Sequence, residues 1–147
     1  MLSVLIASYN TNVVGLIKEL HFQLNKVDIP FEIICLDDGS KSKLNLENLH
    51  LNELSFCSFK ELKSNIGRSA IRNLLGSKAT YKWLLFLDAD VLPVSANFIS
   101  NYIKEIEHNN AAVYLGGIKY RNNDREDLLR WKFGRKSEEV SVSTRNK

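Results

Sequence analysis

Short apolar runs that end in polar or acidic residues recur along this chain and constrain its fold more than any other feature. The clearest runs are residues 3–7, 31–36 and 83–87. Each has the length of a strand, and a nearly continuous apolar run is typical of a parallel strand that is covered on both faces. Between them lie segments with apolar residues at helical spacing, as in residues 13–24. This alternation predicts an α/β fold with a mostly parallel sheet and helices on both faces.

Weaker patterns predict the remaining elements. They indicate helices at residues 44–54 and 68–79 and strands at residues 55–60 and 111–115. Ser95 is placed to cap a further helix, in which apolar residues recur every three or four positions. Asp124 is placed in the same way to cap a last helix that runs through Phe133.

Composition narrows the class of protein. The chain has 147 residues, of which 44% are hydrophobic and 25% charged, as in one globular domain or part of a larger one. No apolar run approaches the ~20 residues that a membrane-spanning helix needs, and the apolar start lacks the features of a signal peptide. Cys35 and Cys57 lie in apolar surroundings without metal-ligand spacing, which favours a reducing compartment. We therefore expect a cytoplasmic protein.

Charge is unevenly distributed along the chain. Residues 1–120 hold 12 basic and 12 acidic side chains, whereas residues 121–147 hold 8 basic and 5 acidic ones and carry the whole net charge of +3. We predict a core at residues 1–120, followed by a basic helix and tail at 121–147. The basic segment is compatible with an anionic partner or with peripheral contact to the inner face of a membrane, and equally with a solvated helix face. No nucleic-acid motif accompanies it.

Two carboxylates, Asp88 and Asp90, directly follow the strand at residues 83–87. Like charges one residue apart repel each other, and a hard divalent cation such as Mg²⁺ or Mn²⁺ relieves that repulsion because it prefers oxygen ligands. A solvated turn with a helix-capping aspartate is the alternative. The pattern by itself leaves the two interpretations about even.

Polar groups also follow the other predicted strands. Asp38 in the turn at residues 37–40 could accept a hydrogen bond from a base or a ribose, or could simply close a turn. Arg68 and Arg72 are four residues apart at the start of a helix, which suits a phosphate but is also common on a solvated helix. Tyr9 could stack on a base, although a half-buried tyrosine is the commoner outcome for such a residue. Because parallel strands end at one edge of a sheet, these groups are predicted to converge.

Four motifs occur in order along the chain: Ser-Val-Leu-Ile-Ala-Ser-Tyr-Asn at 3–10, Ile-Cys-Leu-Asp-Asp-Gly-Ser at 34–40, Asn-Ile-Gly-Arg-Ser-Ala-Ile-Arg-Asn at 65–73, and Leu-Phe-Leu-Asp-Ala-Asp at 85–90. Together they closely resemble the family 2 glycosyltransferases of the GT-A fold. The resemblance covers about residues 2–120. It implies a Rossmann-like sheet that binds a nucleoside-diphosphate sugar at the ends of its strands.

The resemblance also implies roles for individual residues. Tyr9 and Asp38 would contact the base, and Arg72 would lie near the nucleotide. Asp90 would be the direct ligand of Mn²⁺ or Mg²⁺, with Asp88 also close to the metal and nearer the ribose. The full set expected to contact the donor is Ala7, Tyr9, Asn10, Asp38, Gly67, Arg68, Arg72 and Asp88. The hydroxyl of a glycan or lipid-linked acceptor would then attack the anomeric carbon with inversion.

This chain departs from the family pattern in two respects. Relatives usually have a proline near Ala7, and their catalytic domains are longer. The general base is an acidic residue that we expect beyond Lys147, so the chain is interpreted as a fragment with the donor half of the site. Glu138 and Glu139 match such a base by residue type only. Missing strands would leave an unpaired sheet edge, which favours a homodimer or aggregation.

Two other functions remain open from the sequence. The chain could be a non-catalytic module that binds a nucleotide sugar without transferring it. Alternatively, the segment from Leu85 to Val91 resembles the first motif of haloacid-dehalogenase-type phosphatases, in which Asp88 would be the nucleophile and Asp90 an acid/base. That motif usually lies near the N-terminus, whereas here it lies in mid-chain.

Overall fold

The first part of the molecule is built around one parallel sheet. The computed structural model describes residues 1–120, 129–141 and 144. The four strands are β1 (Leu2–Ser8), β2 (Phe31–Asp37), β3 (Cys57–Glu61) and β4 (Trp83–Asp88), in the sheet order β3-β2-β1-β4. The helices are α1 (Val14–Leu24), α2 (Asn45–Asn48), α3 (Arg68–Lys78), α4 (Phe98–His108) and α5 (Leu129–Ser137), with a 3₁₀ turn at Leu49–Glu53. The predicted α/β fold is confirmed.

The strand order creates a reversal between β1 and β4. The chain moves outward from β1 to β2 to β3 and then returns to place β4 on the other side of β1. Leu5 at the centre of β1 therefore pairs with Ile34 of β2 and with Phe86 of β4. Because such crossovers are right-handed, the outward and returning connections lie on opposite faces of the sheet. In sheets of this kind, ligands bind outside the carboxyl ends of the strands at the reversal.

One face of the sheet is covered by α3. Leu5, Ile34 and Leu36 of the sheet pack against Ile71 and Leu75 of this helix, and all five side chains are buried. Burying a side chain of this size contributes about 1.5–3 kcal/mol. The apolar spacing at residues 71, 74 and 75 thus fixes how α3 lies on the sheet, and with it the position of the helix's first turn.

Strand β4 is less buried than its apolar sequence indicates. It forms one edge of the sheet, and the exposed fractions of Leu84 and Phe86 are 41% and 42%. The sequence predicts a strand buried on both faces. The exposed side chains alternate along β4 and share a face with Leu5, where α3 packs on β1 and β2 and leaves the edge strand partly uncovered.

Several predicted elements change in extent. The helix predicted at residues 44–54 divides into α2 and the 3₁₀ turn, and the strand predicted at 55–60 is β3. The strand predicted at residues 111–115 is wrong, because this segment forms no strand in the structure. No other strand lies beside it among the residues that the structure describes, and strand formation depends on such pairing more than on the residues themselves. Asp124 lies outside the described residues.

Backbone contacts divide the chain into two compact units, residues 1–101 and 102–147. The first unit contains the whole sheet. The predicted domain division at residue 120 stays a prediction. Among the described residues, every helix is too short or too polar to cross a bilayer.

Both cysteine thiols are predicted to resist modification. Burial raises the pKa of Cys35 to about 12, while a hydrogen bond with Ser8 partly opposes that shift, and burial raises the pKa of Cys57 to about 11. Both groups are therefore protonated at pH 8, and the thiolate is the reactive form. We expect no reaction of Cys35 and slow reaction of Cys57 with a thiol reagent at pH 8 until the protein is unfolded in urea. Rapid modification of Cys35 in the native protein would contradict this.

Candidate donor-binding site

A cleft of about 420 Å³ opens at the carboxyl ends of β1 and β4. It lies at the reversal of the strand order, within the first compact unit. The residues that line it come from the ends of these strands, the turn after β2 and the start of α3: Ala7, Ser8, Tyr9, Thr11, Asp38, Asn65, Gly67, Arg68, Ile71, Arg72, Asp88, Ala89 and Asp90. The structure thus brings together residues from positions 7 to 90 of the sequence.

Eight of the nine residues predicted from the sequence to contact donor or metal line this cleft, and Asn10 is the exception. Asn10 is exposed and has a left-handed backbone with φ of 52°. Its neighbour Tyr9 lines the cleft with 57% of its surface exposed, so the ring is accessible to a ligand. The structure therefore places Tyr9 where stacking on a base is feasible, and it places Asn10 at the bend that follows.

Asn48 holds the loop after β1 in place, a role that sequence reasoning missed. Its side chain is fully buried, accepts a hydrogen bond from the Val13 N–H at 3.0 Å and donates one to the Thr11 carbonyl at 2.9 Å. These bonds tie α2 to the segment that carries Tyr9. No motif marks Asn48, because its partners are 35 and 37 positions away and are backbone atoms.

Asp38 connects the turn after β2 to the start of α3. It is 5% exposed, and its two carboxylate oxygens accept hydrogen bonds from the N–H groups of Ile66 at 2.8 Å and Gly67 at 3.0 Å. Hydrogen bonds to a charged acceptor are stronger than those between neutral groups. Each oxygen keeps a second acceptor position, so the predicted contact to a base is compatible with this arrangement.

The two turns that Asp38 joins are in direct backbone contact. Gly39 has a left-handed backbone with φ of 70°, and a Cβ atom there would lie 2.5 Å from the Ser64 carbonyl carbon. The adjacent Asp37 closes its own turn by accepting hydrogen bonds from the Ser40 N–H at 2.7 Å and the Ser40 hydroxyl at 2.9 Å. The glycine in this motif is therefore required by both its backbone angle and its close contact.

Arg68 and Arg72 both face Asp88. Arg72 forms an ion pair and hydrogen bond with Oδ1 of Asp88, and the Nη2 of Arg68 lies 3.6 Å from Oδ2. The first turn of α3 carries no acidic residue, so the positive end of the helix dipole adds to the charge of the arginines. This part of the cleft is thus suited to an anion.

The chain's own residues fit a divalent cation that is shared with a substrate. Asp90 is exposed and takes part in none of the ion pairs found among the described residues. Those residues also contain no group of three or more His, Cys, Asp or Glu side chains that could hold a metal. Mg²⁺ commonly takes one or two protein carboxylates and completes its shell with water and phosphate oxygens. Asp90, with Asp88, meets that requirement.

A sequence model of a known family matches almost the whole chain. The model is that of glycosyl transferase family 2, and it matches residues 3–142. The chain belongs to glycosyl transferase family 2. This membership agrees with the resemblance seen in the four motifs and removes the basis for the phosphatase interpretation of Asp88 and Asp90.

Curated and solved relatives support the assignment to the family. Chondroitin synthase from Pasteurella multocida is 28% identical over 120 residues, which are 81% of this chain and 12% of that protein. The structure of Staphylococcus aureus TarS 1–349 in complex with UDP-GlcNAc aligns with a TM-score of 0.58 and 25% identity over 83% of this chain and 36% of that one. The chain thus spans 12% of the chondroitin synthase and 36% of the TarS chain.

A third relative shares the fold at lower identity. A mannosyltransferase from Pyrobaculum calidifontis, solved with GDP-Man and Mn²⁺, aligns with a TM-score of 0.57 and 21% identity over 70% of this chain and 31% of that one. Family 2 enzymes are glycosyltransferases, and their GT-A fold accounts for the parallel sheet and the location of the cleft in this chain.

Proposed function

We propose that this chain forms the donor-binding part of a glycosyltransferase that transfers a sugar from a nucleoside-diphosphate sugar to an acceptor hydroxyl with the help of a divalent cation. The observation that carries the proposal is the single cleft that joins Tyr9, the two arginines and the two carboxylates at the strand reversal. The complexes of TarS with UDP-GlcNAc and of the mannosyltransferase with GDP-Man and Mn²⁺ support this donor class.

Each group in the cleft has a chemical task under this proposal. The exposed ring of Tyr9 stacks on the base, and Asp38 both fixes the start of α3 and accepts a hydrogen bond from the nucleoside. Arg68 and Arg72 bind the diphosphate together with the N-terminus of α3. Asp90 and Asp88 would hold a divalent cation, which would supply further positive charge to the diphosphate leaving group.

Binding of the nucleotide is expected to depend on the metal and on Asp90. Titration calorimetry with UDP, GDP and dTDP should detect one preferred nucleotide, whose affinity rises at least about tenfold when Mn²⁺ is added. Asp90→Ala should remove this gain because it removes the predicted direct ligand. Asp28→Ala, at an exposed position outside the cleft, should keep it.

Two outcomes would count against the proposal. A folded protein that binds none of the three nucleotides would exclude donor binding. Equal binding with and without Mn²⁺, unchanged in Asp90→Ala, would exclude the role of the metal. Binding without transfer or hydrolysis of the donor would instead favour the non-catalytic module.

A further inference from the structure

Asp88 already has two cationic partners within the chain. Both of its carboxylate oxygens face a guanidinium group, Oδ1 that of Arg72 and Oδ2 that of Arg68. A cation that approaches Asp88 would therefore meet two positive charges beside the carboxylate. The proposed metal pair is thus unequal, because Asp90 takes part in none of the described ion pairs.

The arginines themselves need this carboxylate. Arg68 is the first residue of α3, where a positive side chain is disfavoured by the helix dipole, and the first turn contains no acidic residue. Asp88 reaches both arginines from the end of β4 and offsets their charge. A diphosphate in the cleft could offset the same charge.

We propose that Arg68, together with Arg72, shields Asp88 from cations until a diphosphate binds the two arginines in place of Asp88. The inference rests on the proposed function, because it assigns an order of events to the same cleft. Nucleotide binding releases Asp88 toward the metal, so the nucleotide and the cation bind with positive cooperativity. Arg68 acts in this exchange as a positioning residue that sets the strength of the coupling.

Arg68 is better suited to this exchange than Arg72. Its side chain is 76% exposed and lies 3.6 Å from Asp88, whereas that of Arg72 is 36% exposed and forms the closer ion pair. An exposed ion pair of this kind changes an equilibrium by about two- to fivefold. Arg68 can therefore leave Asp88 at small cost and still affect cation binding measurably.

The test compares Mn²⁺ binding in Arg68→Gln and in the unchanged protein. Electron paramagnetic resonance of free Mn²⁺ gives its dissociation constant with and without UDP, or whichever nucleotide binds best. Without nucleotide, Arg68→Gln is expected to bind Mn²⁺ about two- to fivefold more tightly. With nucleotide bound, the two proteins should bind Mn²⁺ equally tightly. The cooperativity between nucleotide and Mn²⁺ is then lower in Arg68→Gln than in the unchanged protein. Lys78→Gln removes the same charge from the exposed opposite end of α3 and should change neither constant.

If Arg68→Gln binds Mn²⁺ without nucleotide no better than the unchanged protein or Lys78→Gln, or shows no binding at all, the shielding role is wrong. Metal-dependent nucleotide binding by the unchanged protein would leave the proposed function standing in that case. If the unchanged protein binds no Mn²⁺ even with nucleotide, the metal-assisted function falls and the inference falls with it. A purely structural role of Arg68 would not tighten Mn²⁺ binding.

Discussion

Replacing Gly39 with alanine is expected to lower the free energy of unfolding by about 2–5 kcal/mol. Two effects combine at this position. The backbone is left-handed, with φ of 70°, and the added Cβ would lie 2.5 Å from the carbonyl carbon of Ser64 and 2.8 Å from the backbone nitrogen of Asn65. Backbone atoms cannot move aside as a flexible side chain can, so the two turns that Asp38 joins must separate. Urea denaturation followed by circular dichroism measures the loss.

Two other glycines in the chain separate these effects. Gly67 has φ of 91°, but a Cβ added there would meet no atom within 4 Å, so Gly67→Ala tests backbone strain alone, at about 1–3 kcal/mol. Gly15, within α1, also has open space and no unusual φ, so Gly15→Ala is expected to stabilise the protein by about 0.5–1 kcal/mol. A Gly39→Ala variant as stable as Gly15→Ala would show that the two turns are not in contact.

Asp38→Ala is expected to cost about 3–5 kcal/mol of stability and to weaken nucleotide binding at the same time. The substitution removes both acceptors for the N–H groups of Ile66 and Gly67, which precede α3. The N-terminal turn of that helix carries Arg68 and the proposed phosphate contacts, so its position would no longer be held. Urea denaturation and calorimetry with nucleotide measure the two losses.

The asparagine variant and a distant aspartate provide controls. Asp38→Asn keeps one acceptor oxygen but places an amide donor against a backbone donor, so its loss of stability should be intermediate. Asp28→Ala, at an exposed position between α1 and β2, should leave stability and binding unchanged. If Asp38→Ala loses binding but keeps its stability, Asp38 acts on the ligand alone and the bonds to the turn contribute little.

Much of the cleft could be predicted because its parts are local in the sequence. Each strand signal ends in, or is followed at once by, the side chains that the strand brings to the cleft, as with Ser8 and Tyr9 at the end of β1 and Asp88 and Asp90 at the end of β4. Parallel pairing places all strand ends at one edge, so a correct fold class is enough to predict that these groups converge. The actual partners of each carboxylate could not be predicted, because they depend on the exact placement of α3.

The segment at residues 111–115 could not be predicted correctly from its local sequence. Its residues favour a strand, but the side chains of Val113 and Leu115 are 72% and 86% exposed. Neither residue belongs to a strand of the structure. A strand is stabilised by hydrogen bonds to a neighbour, and a sequence pattern does not show whether a neighbour is present. Helix α3, in contrast, satisfies its backbone internally, and its predicted range of 68–79 agrees with the observed Arg68–Lys78 within one residue.

The amino-acid sequence by itself determined the α/β class, the order of the strands and helices through residue 108 and most of the residues that meet at the carboxyl edge of the sheet. These follow from periodicity and from motifs a few residues long. Only the tertiary structure decided that Asp38 holds the turn before α3, that Asn48 fixes the loop of Tyr9 and that Asp88 is paired with two arginines. Hydrogen bonds and ion pairs act over about 3–4 Å, so they depend on packing that brings distant segments together.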